Sequence, residues 1–167
     1  MKKVVAGLGA LALFVLLVAG CTSIPAKASP QESLVVIKTE FVNPDSLPRG
    51  FELQFKYSKG YEATWIGQYS WDYSVVAIKE PGVEIESIGA RVQAHFRGEN
   101  PEYAVHVPLP YQPGKIVIAD FAFVHEIKKT GERGQSSQFS FRKLEENEKQ
   151  SLLKTLSEDE SFSTWLK

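Results

Sequence analysis

Three histidines, His95, His106 and His125, are the side chains best suited to moving protons or holding a metal in this chain of 167 residues. If Phe96 faces Tyr103 across residues 97–102, the hairpin pairs residues whose numbers sum to 199. Gln93 then sits opposite His106 and His95 opposite Ala104, leaving the two histidines diagonal neighbours at roughly 7 Å. Zinc would need a third protein ligand, and none stands at a recognised spacing. His95 and His106 are therefore weak metal candidates, and the plainer expectation is a solvated strand face. Asp120 lies among Ile118, Ala119, Phe121 and Ala122. A carboxylate buried there would have a raised pKa suited to general acid/base work; the plainer expectation is an acid on the solvent side of a strand or one paired with a neighbouring lysine or arginine. His125 and Glu126 are adjacent, so on a strand they point to opposite faces and cannot form a dyad.

Aromatic residues are concentrated in one stretch: Tyr57, Tyr61, Trp65, Tyr69, Trp71 and Tyr73. Trp65, Tyr69, Trp71 and Tyr73 share odd parity, so one continuous strand would line them on a single face. Such a face could stack on a sugar ring while Gln68 and Asp72 bond its hydroxyls. The competing expectation is core packing, with Gly67 marking a bulge or turn. No G-x-S-x-G elbow, P-loop, H-E-x-x-H or C-x-x-C pair follows residue 20, so no catalytic residue and no cofactor is assigned.

The elements that must position these residues read as strands. Phe51-Glu-Leu53-Gln-Phe55-Lys-Tyr57 alternates apolar and polar side chains with the period of a half-buried strand. The run 88–96 repeats the pattern, and 33–42, 65–79, 103–107, 115–127 and 138–142 are further candidates. Turn chemistry separates them, as at Pro48-Arg49-Gly50, Pro81-Gly82 and Pro113-Gly114. With no βαβ alternation, the expected fold is mostly β, an antiparallel β-sandwich of immunoglobulin-like or jelly-roll-like type spanning 33–143. From Leu144 the chain becomes Glu-rich with Leu152, Leu153 and Leu156 at helical spacing, followed by Phe162, Trp165 and Leu166. One or two short helices over 144–167 are expected on an open edge or end of the sandwich, the second capped by Ser157.

The amino terminus states an address. Lys2 and Lys3 precede an uncharged run from Val4 to Gly20, the layout of a signal segment. Val18-Ala19-Gly20-Cys21 resembles the lipobox of bacterial lipoproteins, a likeness confined to residues 1–21. It implies cleavage before Cys21 and diacylation of that cysteine, with residues 1–20 discarded and the chain anchored to a membrane by lipid. Thr22 stands where many inner-membrane members carry Asp, which points to the outer membrane if the host is Gram-negative. Cys21 is the only cysteine, so no intramolecular disulfide can form. Residues 21–32, with Pro25 and Pro30 and few large apolar side chains, read as a flexible tether. Losing Lys2 and Lys3 moves the formal charge from -1 to -3. That balance excludes a phosphate-binding surface, and hence a nucleic-acid partner.

The expectation from sequence is a lipid-anchored, non-enzymatic binding or assembly module for an envelope protein or glycan. Two rivals stand beside it: an enzyme on envelope carbohydrate or peptide using Asp120 and a second acid, and a purely structural lipoprotein.

Overall fold

The segment Ser33-Leu-Val-Val-Ile37 is a continuous run without alternation, the mark of a strand covered on both faces. In the computed structural model, which describes residues 24–42, 51–67, 72–92, 102–129 and 135–166, all five are buried. They open β1 (Ser33–Val42). Val35 and Ile37 enter one hydrophobic core and Leu34 and Val36 a second on the opposite side. A single strand between two cores makes the molecule three layers deep.

The other elements are β2 (Phe51–Tyr57), β3 (Thr64–Gly67), β4 (Tyr73–Ile78), β5 (Glu84–Val92), β6 (Glu102–Pro108), β7 (Ile116–Lys129), β8 (Gln135–Lys143) and α1 (Glu146–Glu158). Short 3-10 turns cover Ser58–Gly60 and Glu160–Phe162. Two four-stranded sheets form, with orders β4-β1-β7-β8 and β3-β2-β5-β6. Between them lies the first core, where Phe55 of β2 meets Phe123 of β7 edge to face at 5.0 Å. Fully burying side chains of this size contributes about 2 kcal/mol each.

The expectation of a wholly antiparallel fold is corrected by β1 and β7, which run parallel at the centre of the first sheet. Most of the chain between them builds the second sheet, so no tight turn dictates their relative direction. An unalternating apolar run also carries no directional signal. The segment 65–79, read as one strand, is two: β3 and β4 belong to different sheets. The strand placed at 88–96 already begins at Glu84 as β5, with 93–96 outside the described residues, and its described pairing with β6 sums to 191 or 192 instead of 199. A register shift between Ile85 and Ser87 brings both Ile85 and Ile88 into the core and so disguises the alternation.

The outer layer is C-terminal. Leu152 and Leu156, one helical turn apart on α1, pack with Leu144, Phe162 and Trp165 over Leu34, Val36, Ile118 and Ala122. The helix therefore covers a face of the first sheet instead of an edge, and Leu153 is exposed. Glu145 caps α1 through a reciprocal capping box with Glu148. Glu148 also receives Arg142 and Lys38, and Arg142 reaches Glu40, so one charged cluster ties the helix to β1 and β8. These partners hold the Glu148 carboxyl far below its usual range. The following turn is capped by Asp159, which accepts from the Ser161 amide at 2.9 Å, and not by Ser157.

Residues 24–32 are not a free tether. Ile24 packs on the second core, the Trp165 indole donates to the Pro25 carbonyl at 2.7 Å, and Lys27 donates to the Gly114 carbonyl at 3.0 Å. Tyr111 donates its hydroxyl proton to the Gln31 carbonyl, and the buried Glu32 carboxylate accepts from the Ala28 and Ser29 amides. A small, proline-bearing segment offers too little apolar area to announce docking, and polar bonds supply most of it here. Cys21 and the lipobox lie outside the described residues. Among the described residues no helix is long and apolar enough to cross a membrane.

Candidate functional site

Each sheet has two edges, and stacking aligns them in pairs. On one side β6 and β8 approach, and Tyr103 of β6 meets Phe139 of β8 edge to face at 5.0 Å, while within the first sheet Phe121 of β7 meets Phe141 of β8 at 5.3 Å. On the other side β3 and β4 leave a cleft of about 790 Å³. Its walls are the 59–66 stretch on one side, Ile24 and Pro25 on the other, and residues 73–77 of β4 along the floor.

The pairing of β4 with β1 decides what the cleft floor offers. Thr39 donates its amide to the Asp72 carbonyl, which identifies Thr39 and Asp72 as a hydrogen-bonded pair of the antiparallel ladder. The register carries that alternation to Ile37–Ser74 and Val35–Val76. Val75, Ala77 and Lys79 therefore turn their amides and carbonyls away from β1. At the closed end these groups are satisfied by side chains. The Lys79 amide donates to the Tyr61 hydroxyl at 2.8 Å, and the Lys79 carbonyl lies 3.1 Å from the Tyr111 hydroxyl, sharing its single proton with the Gln31 carbonyl at 2.8 Å. Thr64 makes only a long contact of 3.4 Å with the Val75 carbonyl.

The cleft carries hydroxyls and charge. Thr64 and Ser74 line it, and the Tyr57 phenol lies close enough to both to feel their dipoles. Tyr57 and Ser74 are 5% and 7% exposed, yet neither hydroxyl is in hydrogen-bonding geometry with a partner. Burial raises the Tyr57 pKa, keeping the phenol neutral. Lys59 pairs with Glu80 at 3.3 Å and Lys79 with Glu32 at 3.6 Å. Among the described residues lining the cleft, Glu62 is the acid without an ion pair.

Of the aromatic face anticipated from sequence, Trp65 and Tyr73 both line this cleft, from two different sheets. Trp65 is 38% exposed, while Tyr73 also packs against Phe162 of the outer layer. Tyr69 and Trp71 lie outside the described residues.

The remaining candidates fall elsewhere. His95 lies outside the described residues. His106 occupies a left-handed conformation (φ 53°) at the irregularity in β6, and its Nδ1 meets the Glu84 carboxylate at 2.9 Å, which raises its pKa. The observed register sets His106 level with 85–86 instead of opposite Gln93. Among the described residues no group of three His, Cys, Asp or Glu side chains is placed to hold a metal. Asp120 sits where two extra β7 residues shift the register against β1, with its side chain 82% exposed and bonded to Lys149. Its apolar neighbours point to the cores while it points to solvent. His125 is wholly buried, edge to face with Phe41, and desolvation lowers its pKa to about 4. Glu126 emerges on the other face beside Lys128 at 3.1 Å.

Sequence reasoning missed Thr64, Ser74, Glu62 and the edge of β4. The legible signal was Tyr73-Ser-Val-Val-Ala-Ile78, a strand without charge or proline. Comparison of the chain with protein families, with curated proteins and with solved structures returns no match.

Proposed function

We propose that this chain is a lipid-anchored envelope protein whose domain is a non-enzymatic binding module, engaging a protein or glycan through the cleft between β3 and β4. Its two stacked sheets fit a sandwich of the broad immunoglobulin-like or jelly-roll-like kind. The anchor rests on the lipobox-like segment ending at Cys21, and Thr22 favours the outer membrane in a Gram-negative host.

One observation carries the binding reading. The cleft is concave, walled on both sides, and lined by aromatic rings, hydroxyls and backbone polar groups, the mixture that ligand sites present. Asp120, the acid named for a catalytic rival, is exposed and salt-bridged, which favours binding over acid/base chemistry.

A photo-crosslinking residue at Ala77 in intact cells tests this. A discrete adduct to an envelope protein or glycan is expected, with none from the same probe at Glu126. Recovery of uncrosslinked protein from both positions would overturn the proposal. Separately, Cys21→Ser should release the folded domain from the membrane fraction, and retention there would defeat the anchor.

A further inference from the structure

Sheet edges invite unwanted strand pairing, and proteins blunt them with charge, proline, bulges or brevity. Three of the four edges here follow that rule. The strand β6 begins at Glu102, ends at Pro108 and carries the His106 irregularity. The strand β8 ends in Arg142 and Lys143, and β3 has only four residues, ending in Gly67. The strand β4 has six residues and none of these devices. Its outer edge instead faces the cleft, beside the 59–66 stretch and Ile24 and Pro25.

We infer that the cleft binds a short extended peptide, which adds as a strand along the free edge of β4. This deepens the binding reading above and rests on it. The floor supplies amides and carbonyls at Val75 and Ala77, every second residue, as an added strand requires. Six residues at ~3.4 Å give an edge of about 20 Å, room for a peptide of five or six residues. The cleft's volume suits one chain and no more. An acyl chain would leave the Val75 and Ala77 amides without partners, at a cost of about 1–3 kcal/mol for each one buried, and a sugar's hydroxyls do not repeat at the spacing of every second strand residue.

Charge selects the peptide further. Both lysines lining the cleft are already paired, leaving the Glu62 carboxylate. Tyr61 stands level with Lys79 and Thr64 with Val75, so Glu62 lies toward the Ala77 end of β4. A strand antiparallel to β4 brings its own amino-terminal end there. The ligand is therefore an extended peptide with a lysine or arginine near its amino terminus and apolar residues at alternate positions.

The test uses the full mature chain in detergent micelles, with acetylated Val/Thr hexapeptides carrying one lysine at each position in turn. Amide hydrogen exchange at Val75 and Ala77 should slow at least tenfold, most with lysine at the first two positions. Glu62→Lys should weaken those peptides at least tenfold and favour glutamate in the same place. N-methylation along the best peptide should abolish binding at every second residue only. No protection of Val75 and Ala77 by any peptide, protection along β6 or β8 instead, or an N-methyl scan without period two would overturn the inference. An N-acetylglucosamine tetramer separates the two levels of claim. If it quenches wild-type fluorescence but not that of Trp65→Phe, and no peptide protects β4, the binding module stands and the peptide falls. If neither ligand acts and the Ala77 probe yields no adduct in cells, both fall.

Discussion

The two seams of this molecule solve one problem in opposite ways. Where β6 meets β8, rings from both sheets interlock, and Tyr103, Phe139, Phe123 and Phe141 form a continuous aromatic stack. Where β3 meets β4, Trp65 and Tyr73 instead line a cleft of about 790 Å³. Large rings thus seal one side and line the other, so aromatic content by itself does not mark a binding face. What separates the seams is volume: Tyr103 closes on Phe139 at 5.0 Å across the first, and a cleft of about 790 Å³ remains at the second.

The contrast can be broken most severely at Phe123, which is fully buried and touches Phe55 and both β8 rings. Phe123→Ala should cost about 3–5 kcal/mol in urea unfolding, and a loss below 1 kcal/mol would mean that the sealed side is not packed as described. Acid attacks the same side through His125. Its folded pKa of about 4 lies below the unfolded value of 6.5. The unfolded chain therefore takes up a proton first as pH falls, and stability present above pH 6.5 is lost between 6.5 and 4. That loss should be on the order of 2–3 kcal/mol, and His125→Gln should flatten the profile over that window.

Smaller changes sharpen the comparison. Tyr103→Ala opens the sealed seam from its exposed rim and should cost about 1 kcal/mol, with increased binding of an apolar dye. Trp65→Ala at the open seam should cost less than about 0.5 kcal/mol in the same titration, because Trp65 is 38% exposed and lines open volume. Equal costs at Tyr103 and Trp65 would erase the distinction between sealed and open.

Much of the β content was legible because alternation and turn residues are local signals. The strands over 33–42 and 51–57 were readable from an apolar run, from alternation and from the turn residues beside them. Three things were not. The parallel pairing of β1 and β7 depends on chain routing, which an apolar run does not encode. The register of β5 with β6 depends on an irregularity at Glu86 that no turn residue announces. The candidate site joins Glu62, Thr64 and Trp65 to Tyr73, Ser74 and Val75 across two sheets, and parity on an assumed single strand could only suggest the aromatic pair. Asp120 shows the converse error, since apolar sequence neighbours on a strand say little about where the residue between them points.

The docked amino-terminal segment changes the geometry of any anchoring. A loose leader of a dozen residues would let the domain patrol several nanometres above the bilayer. With Ile24 packed on the second core and Pro25 bonded to Trp165, a lipid on Cys21 would be separated from the fold by at most about 10 Å of chain. The domain would then ride at headgroup height, with the Ile24 rim of its cleft turned toward the lipid. Such a module samples a thin sheet of space, and only partners presenting a loose chain close to the membrane surface would come within its reach.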